Sequence, residues 1–178
     1  MSEFFTKTDL SRKDAESIIS ETLNNCDDGE LYLENSKSES IVLDDDKIKS
    51  SSYSSDLGYG LRAVTGEVVA YSHSNEISKK SLKQSANNLS STLKSQKGIY
   101  NHEIPQTNEK FYKDVNPIEE KSLQSKLDLL KEVNNYTRAK GGMVQQVTAS
   151  FAGEHKSIEI IRSGGEVLTD VRPLIRFN

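Results

Sequence analysis

The chain has 178 residues, a net charge of −4 and 34% apolar residues, enough for one domain or for one domain and part of another. Counting the 10 glycines raises the apolar share to roughly 40%, below the ~45–50% of average globular chains, so a thin core with wet strand faces is expected. The acidic balance and the lack of a long basic block argue against nucleic-acid binding through phosphate neutralisation.

Lys79-Lys80 with Lys83 reads as a solvated helix face. The single cysteine, Cys26, cannot form an internal disulfide, and there is neither a signal peptide nor a run of ~18 apolar residues. A reducing, cytoplasmic setting without membrane contact follows by default. Cys26 falls near a helix C-terminus, where the dipole disfavours a thiolate, so it reads as buried filler.

Ser11 is placed to cap a first helix with Asp14 three residues on, and Ala15, Ile18, Ile19, Thr22 and Leu23 line one face of it. Leu31 and Leu33 then alternate with polar neighbours, and Ile41 and Leu43 repeat the pattern after a polar turn predicted at Asn35 to Ser38. Asp44-Asp45-Asp46 reads as an acidic hairpin tip; a calcium loop needs alternating oxygen ligands, a glycine and a distant Glu that do not follow. Ile48 to Ser55 is a polar, exposed or edge strand. Leu57 to Val64 and Glu67 to Ser72 form a hairpin across Thr65-Gly66. Gly58 and Gly60 put two bare backbones on one strand face, which requires close packing or a bend there. About five antiparallel strands are expected in this part.

From Glu76 to Leu93 the period becomes helical, with Leu82, Ala86, Leu89 and Leu93 on one face, and two helices should cover the sheet. Lys94 to Asn116 loses periodicity and reads as a linker. Asn116 with Pro117 predicts a helix start, Leu123, Leu127, Leu130 and Val133 or Asn134 an apolar stripe, and Gly141-Gly142 its end. Val144 to Phe151, Ser157 to Arg162 and Val167 to Phe177 predict closing strands, with Pro173 demoting the last to an edge or bulge. The expected architecture is α+β: an antiparallel sheet of about five strands packed by two helices, then a helix plus antiparallel strands that begin a second domain. The expected division is a domain over 1–96, a linker over 97–116 and a partial second domain over 117–178. The run Leu174 to Asn178 fits a terminal strand and a chain cut within a domain equally well. In the second case Leu174, Ile175 and Phe177 leave an apolar edge through which the chain can form a homodimer.

Candidate chemistry is sparse. His73, His102 and His155 show no pair four residues apart, and His102-Glu103 lies in the linker before Pro105, not on a helix. His73 at a strand end and His155 at a predicted hairpin tip read as exposed polar residues; an independent enzyme using one of them is the weakest alternative. No Gly-x-Ser-x-Gly elbow marks a nucleophile, and Gly58-Tyr59-Gly60 lacks the helix start of a phosphate loop. Arg62 and Arg172, each in a strand pattern, read as structural ion pairs, with a clamp for a peptide carboxylate as the alternative. No catalytic, cofactor-binding or metal residue is assigned.

Several segments, taken in order, resemble one family: Gly29-Glu30-Leu31-Tyr32, Glu39 to Asp45, Gly58-Tyr59-Gly60-Leu61-Arg62-Ala63, Tyr136 to Lys140, Phe151-Ala152-Gly153-Glu154 and Asp170-Val171-Arg172-Pro173-Leu174. Together they resemble the N-terminal portion of the TldD/PmbA family ("modulator of DNA gyrase"), whose intact members are zinc metalloproteases. The Asp170 to Leu174 segment favours the TldD branch over PmbA (TldE). The resemblance implies a non-catalytic portion that walls a chamber for unfolded peptides and contacts a TldE/PmbA-like subunit in a heterodimer. The family's zinc site, a His-Glu-x-x-x-His helix plus a cysteine, matches no position here, so this segment is expected to be inactive alone. A stand-alone peptide- or protein-binding module is the alternative.

Overall fold

The computed structural model describes residues 3–6, 8–93 and 111–178; the predicted linker over 97–116, in large part, and His102 lie outside the described residues. Among the described residues the architecture is α+β, with three α-helices and a five-stranded antiparallel sheet in the order β3-β2-β1-β4-β5. The elements are α1 (Arg12–Leu23), β1 (Asp28–Asp44), β2 (Lys47–Thr65), β3 (Val68–Ser74), α2 (Lys79–Leu93), α3 (Leu123–Arg138), β4 (Thr148–Arg162) and β5 (Val167–Phe177).

The strands are fewer and longer than their local patterns predict. No turn occurs at 35–38: the Leu31 and Ile41 segments are one strand, β1. Likewise the polar 48–55 run and the 57–64 run form β2, and β4 passes through the predicted tip at 152–156. Ladder hydrogen bonds satisfy a strand's backbone whatever its side chains are, so polar stretches between paired neighbours stay extended. The amide of Ser163 bonds the Gly29 carbonyl, and the amide of Asp45 bonds the Val147 carbonyl, so β1 and β4 run in opposite directions. Asn178 and Ser150 exchange two backbone bonds that dock β5 onto β4. Pro173 lies in β5, an outermost strand, where a missing N–H donor is tolerated. Leu174, Ile175 and Phe177 of that strand are exposed.

The chain divides into two compact units. One comprises the described parts of Met1–Asn35, Asp56–Lys110 and Ser157–Asp170; the other comprises those of Ser36–Ser55, Phe111–Lys156 and Val171–Asn178. The long strands β1, β2, β4 and β5 each contribute a portion to both.

In the first unit, Ala15, Ile19 and Leu23 of α1 and Leu82, Ala86, Leu89 and Leu93 of α2 join Leu31, Leu33, Leu61 and Ala63 of the sheet in one core. Cys26 is buried in the same cluster. Ser11 caps α1 by accepting from the Asp14 amide at 3.1 Å. Its hydroxyl donates to Asp14 at 2.7 Å, and Lys79 of α2 donates to the same carboxylate at 2.6 Å. Lys79 first, then Ser11, hold the Asp14 carboxyl down from its ordinary 3.8 to about 2. A carboxyl depressed in the folded state contributes fully above its ordinary value and loses that contribution as pH falls toward 2. Lys79→Met is therefore expected to flatten the acid-side loss of helicity between pH 4 and 2, followed by circular dichroism. Superimposable wild-type and variant profiles would show that this pair does not carry the effect.

In the second unit, Ile41, Leu43, Leu130, Ala149 and Phe151 form the core, with Leu127 and Val133 packed on it. The helix does not start at Asn116-Pro117. Asn116 instead accepts from the Ile118 amide at 3.0 Å in a turn, and Ser122 caps α3 by accepting from the Ser125 amide. The stripe shifts accordingly: Lys126, Leu130 and Asn134 are buried, whereas Leu123, in the first turn, is exposed.

Candidate functional site

Strand β2 builds an open surface of the first unit. From Tyr59 to Thr65 its odd residues face the core, leaving Gly58, Gly60 and Arg62 on the other face. The two-residue loop to β3 is Gly66-Glu67, one position later than the predicted turn, with Gly66 at φ 56°. The resulting register sets His73 opposite Gly60 and Tyr71 opposite Arg62. Tyr71 stacks on His73 at 5.8 Å between ring centroids and leans its ring over Gly60. A Cβ on Gly60 would lie 2.5 Å from the Tyr71 hydroxyl, and one on Gly58 would lie 2.9 Å from the Ser74 carbonyl oxygen. The paired glycines are thus explained by close packing: an aromatic ring covers one bare backbone and the β3 backbone crowds the other.

This packing leaves a groove of about 300 Å³, floored by Gly58 and Gly60 and walled by Tyr71, Tyr32, Glu34 and Asp56. Tyr32 donates to Glu34 at 2.5 Å. On the side facing Tyr59 the sheet is closed: the Tyr59 hydroxyl lies 2.9 Å from the hydroxyls of both Ser81 and Ser85 on α2. The groove therefore offers carboxylate acceptors and aromatic faces, which is the chemistry of binding.

Beside it, Arg62 contacts Asp28 at 2.7 Å and Glu30 at 3.3 Å, and Arg162 of β4 shares Asp28 at 2.5 Å. Arg62 is thus engaged in an ion-pair network. Arg172 is exposed on β5, in the other unit. Tyr32, Glu34, Asp56 and Tyr71 were not singled out by sequence. The glycine pair pointed to the place, and only the cross-strand register shows which side chains surround it.

The remaining candidates separate. His73 is the stacking partner of Tyr71. His155 is not at an exposed tip: β4 is continuous there, and the ring is 9% exposed with no partner for Nε2 among the described residues. The acidic triplet is a hairpin tip, with Asp45 and Asp46 at φ 47° and 64°. Asp44 accepts from Gln146 at 2.9 Å and Thr148 at 2.8 Å, which hold its carboxyl below the usual range. Asp45 accepts from the Val147 amide and from Arg138.

Residues 29–92 match the family model described as PmbA/TldA metallopeptidase domain 1, and residues 116–178 match the PmbA/TldA metallopeptidase central domain. The chain belongs to the PmbA/TldD family. A Buchnera aphidicola (Acyrthosiphon pisum) protein named Metalloprotease TldD homolog is 35% identical over 153 residues, covering 85% of this chain and 32% of the relative. This chain spans about a third of the length of the curated TldD relatives it matches. Among solved structures, a Bacteroides thetaiotaomicron protein described as a modulator of DNA gyrase superposes with a TM-score of 0.69 at 18% identity. It matches over 93% of this chain and 39% of its own. TldE from Thermococcus kodakarensis gives 0.61 at 13% identity, over 93% of this chain and 42% of that one. These two structural likenesses concern the fold.

A metallopeptidase family implies a metal, and the described residues do not fit one. No three His, Cys, Asp or Glu side chains converge among them, and Asp44 and Asp45 are engaged by neighbours of their own unit. No step of peptide hydrolysis is assigned to this part of the family's architecture. No helix among the described residues is long and apolar enough to cross a membrane.

Proposed function

We propose that this chain acts as the N-terminal, non-catalytic portion of a TldD-like zinc metalloprotease that works on unfolded peptides in the cytoplasm. Its role is to wall the reaction chamber and to contact a TldE/PmbA-like subunit. The observation that carries this reading is the match to two successive family domains, 29–92 and 116–178, by residues that lack a converging metal-ligand set. The same boundaries support a first domain over 1–96, a connector over 97–116 and the opening of the next domain over 117–178. A partner of the same fold is supported by the likeness to TldE.

Mixing the purified chain with a TldE-like subunit should give a 1:1 complex by size-exclusion chromatography with light scattering. Alone, with zinc supplied, the chain should leave an unfolded casein peptide intact. Two separate species at tens of micromolar would remove the subunit-contact role, and chelator-sensitive hydrolysis by the chain alone would overturn the non-catalytic assignment.

A further inference from the structure

We propose that the cleft between α1 and the β4–β5 turn is a binding site for a primary ammonium group, carried by a lysine side chain or by the amino terminus of a peptide. The cleft lies wholly within the first unit and does not depend on the chamber-wall reading above. It has a volume of about 260 Å³ and is lined by Glu16 and Ser20 of α1 and by residues 161–165 of β4 and its turn. Glu16 and Ser20 are four residues apart on the helix and so stand side by side. The half-buried Glu16 carboxylate has no hydrogen-bond or ion-pair partner among the described residues. The Ser163 hydroxyl is shut off from solvent and likewise has no partner among them. Ser163 lies on the α1 side of the sheet: its amide bonds the Gly29 carbonyl, and the bare Cα of Gly29 faces Leu23 of α1.

Charge and shape select the ligand. Arg162, the other charged residue of the lining, is directed away: its guanidinium holds Asp28 at 2.5 Å. Asp28 precedes Gly29 in β1 and therefore points to the opposite face of the sheet. Glu16 is thus the charge that the cleft presents. Ser20 lies in the last turn of α1, where the carbonyl ends carry negative partial charge and no basic side chain offsets it. Both features favour a cation. A primary ammonium has three donors on a compact head, and Glu16, Ser20 and Ser163 are three acceptors around a small volume. A guanidinium gains from a flat aromatic face, and no aromatic side chain is among the described lining residues. Gly165, at φ 80°, forms the rim, and a Cβ there would meet nothing within 4 Å, so the rest of the ligand has an open exit. Binding would turn the Ser163 hydroxyl about χ1 onto the ammonium and give Glu16 its counter-charge.

The test is a titration of the isotope-labelled full chain with propylammonium chloride, read from backbone amide chemical shifts against equal sodium chloride. Millimolar binding that moves the amides of Glu16, Ser20, Ser163 and Gly164 is expected, the range open to a ligand of so few atoms. Tetramethylammonium, which has the charge and no N–H, should bind about fivefold more weakly or worse. Glu16→Gln should weaken propylammonium binding about tenfold, the equivalent of one charge-assisted contact, and Ser163→Ala about threefold. Glu21→Gln, the same charge change at an exposed position of α1 outside the cleft, should leave binding unaltered. A Gly/Ser peptide with a free amino terminus and an acetylated one bearing a single Lys then separate the two carriers, and binding of either supports the site. Propylammonium binding with neither peptide bound would overturn both carriers. Equal binding of tetramethylammonium, equal effects of Glu16→Gln and Glu21→Gln, or no amide shift at all would each overturn the ammonium site. None of these failures touches the chamber-wall reading, which is decided by the complex with a TldE-like subunit.

Discussion

Lys126→Met is expected to destabilise the chain by about 3–5 kcal/mol, the usual consequence of removing one member of a buried ion pair. The Lys126 and Glu39 side chains are only 6% and 12% exposed. The ammonium donates to Glu39, donates to the Ile118 carbonyl at 2.6 Å and sits 5.4 Å from the centroid of the Phe151 ring. Removing it leaves the Glu39 carboxylate desolvated and without its counter-charge, and the Ile118 carbonyl without its donor. Restoring an apolar environment should reverse most of the damage: the double variant Lys126→Met/Glu39→Leu is expected to return to within about 1 kcal/mol of wild type, because a buried pair and a well-packed apolar pair have similar net worth. Urea unfolding of the four proteins, followed by helical circular dichroism, gives the coupling directly. A single variant that loses under 1 kcal/mol, or a double variant no better than the single, would contradict the buried-pair account.

Leu61→Ala should cost about 2–5 kcal/mol, through lost transfer free energy and the cavity left behind. Leu61 has no exposed surface and belongs to the core that α1 and α2 share with the sheet. The neighbours of Leu61 in the sequence face the other way: Gly60 carries the Tyr71 ring, and Arg62 its two carboxylates. Tyr71→Ala on the adjacent strand should stay within about 0.5 kcal/mol of wild type, as expected for a largely exposed side chain. The same unfolding measurement compares them. Equal losses for Leu61→Ala and Tyr71→Ala would mean that the two faces of β2 are not divided into core and groove as described.

Much of the first unit was readable from residues close in sequence. The Ser11–Asp14 cap, the Ala15/Ile19/Leu23 face of α1 and the Leu82/Ala86/Leu89/Leu93 face of α2 follow from capping chemistry and helical period, both of which act within one or two turns. The Gly58/Gly60 pair marked a place of close approach for a similar reason: a missing Cβ is visible in a single chain. Which groups come close was not visible. Tyr71 lies over Gly60, and Glu34 and Asp56 reach the same groove, through the pairing of β1, β2 and β3.

By itself, the sequence determined the faces of α1 and α2, the β2–β3 hairpin, the acidic tip and the family. Tertiary structure alone decided that β1 continues through its polar middle, that β4 has no turn at His155, and that Lys126 lies inside while Leu123 lies outside. The physical reason is the range of the forces involved. Caps, turns and periodicity are settled by neighbours along the chain, whereas a strand persists because another strand takes up its backbone bonds, and a lysine is buried because a carboxylate 87 positions away receives it.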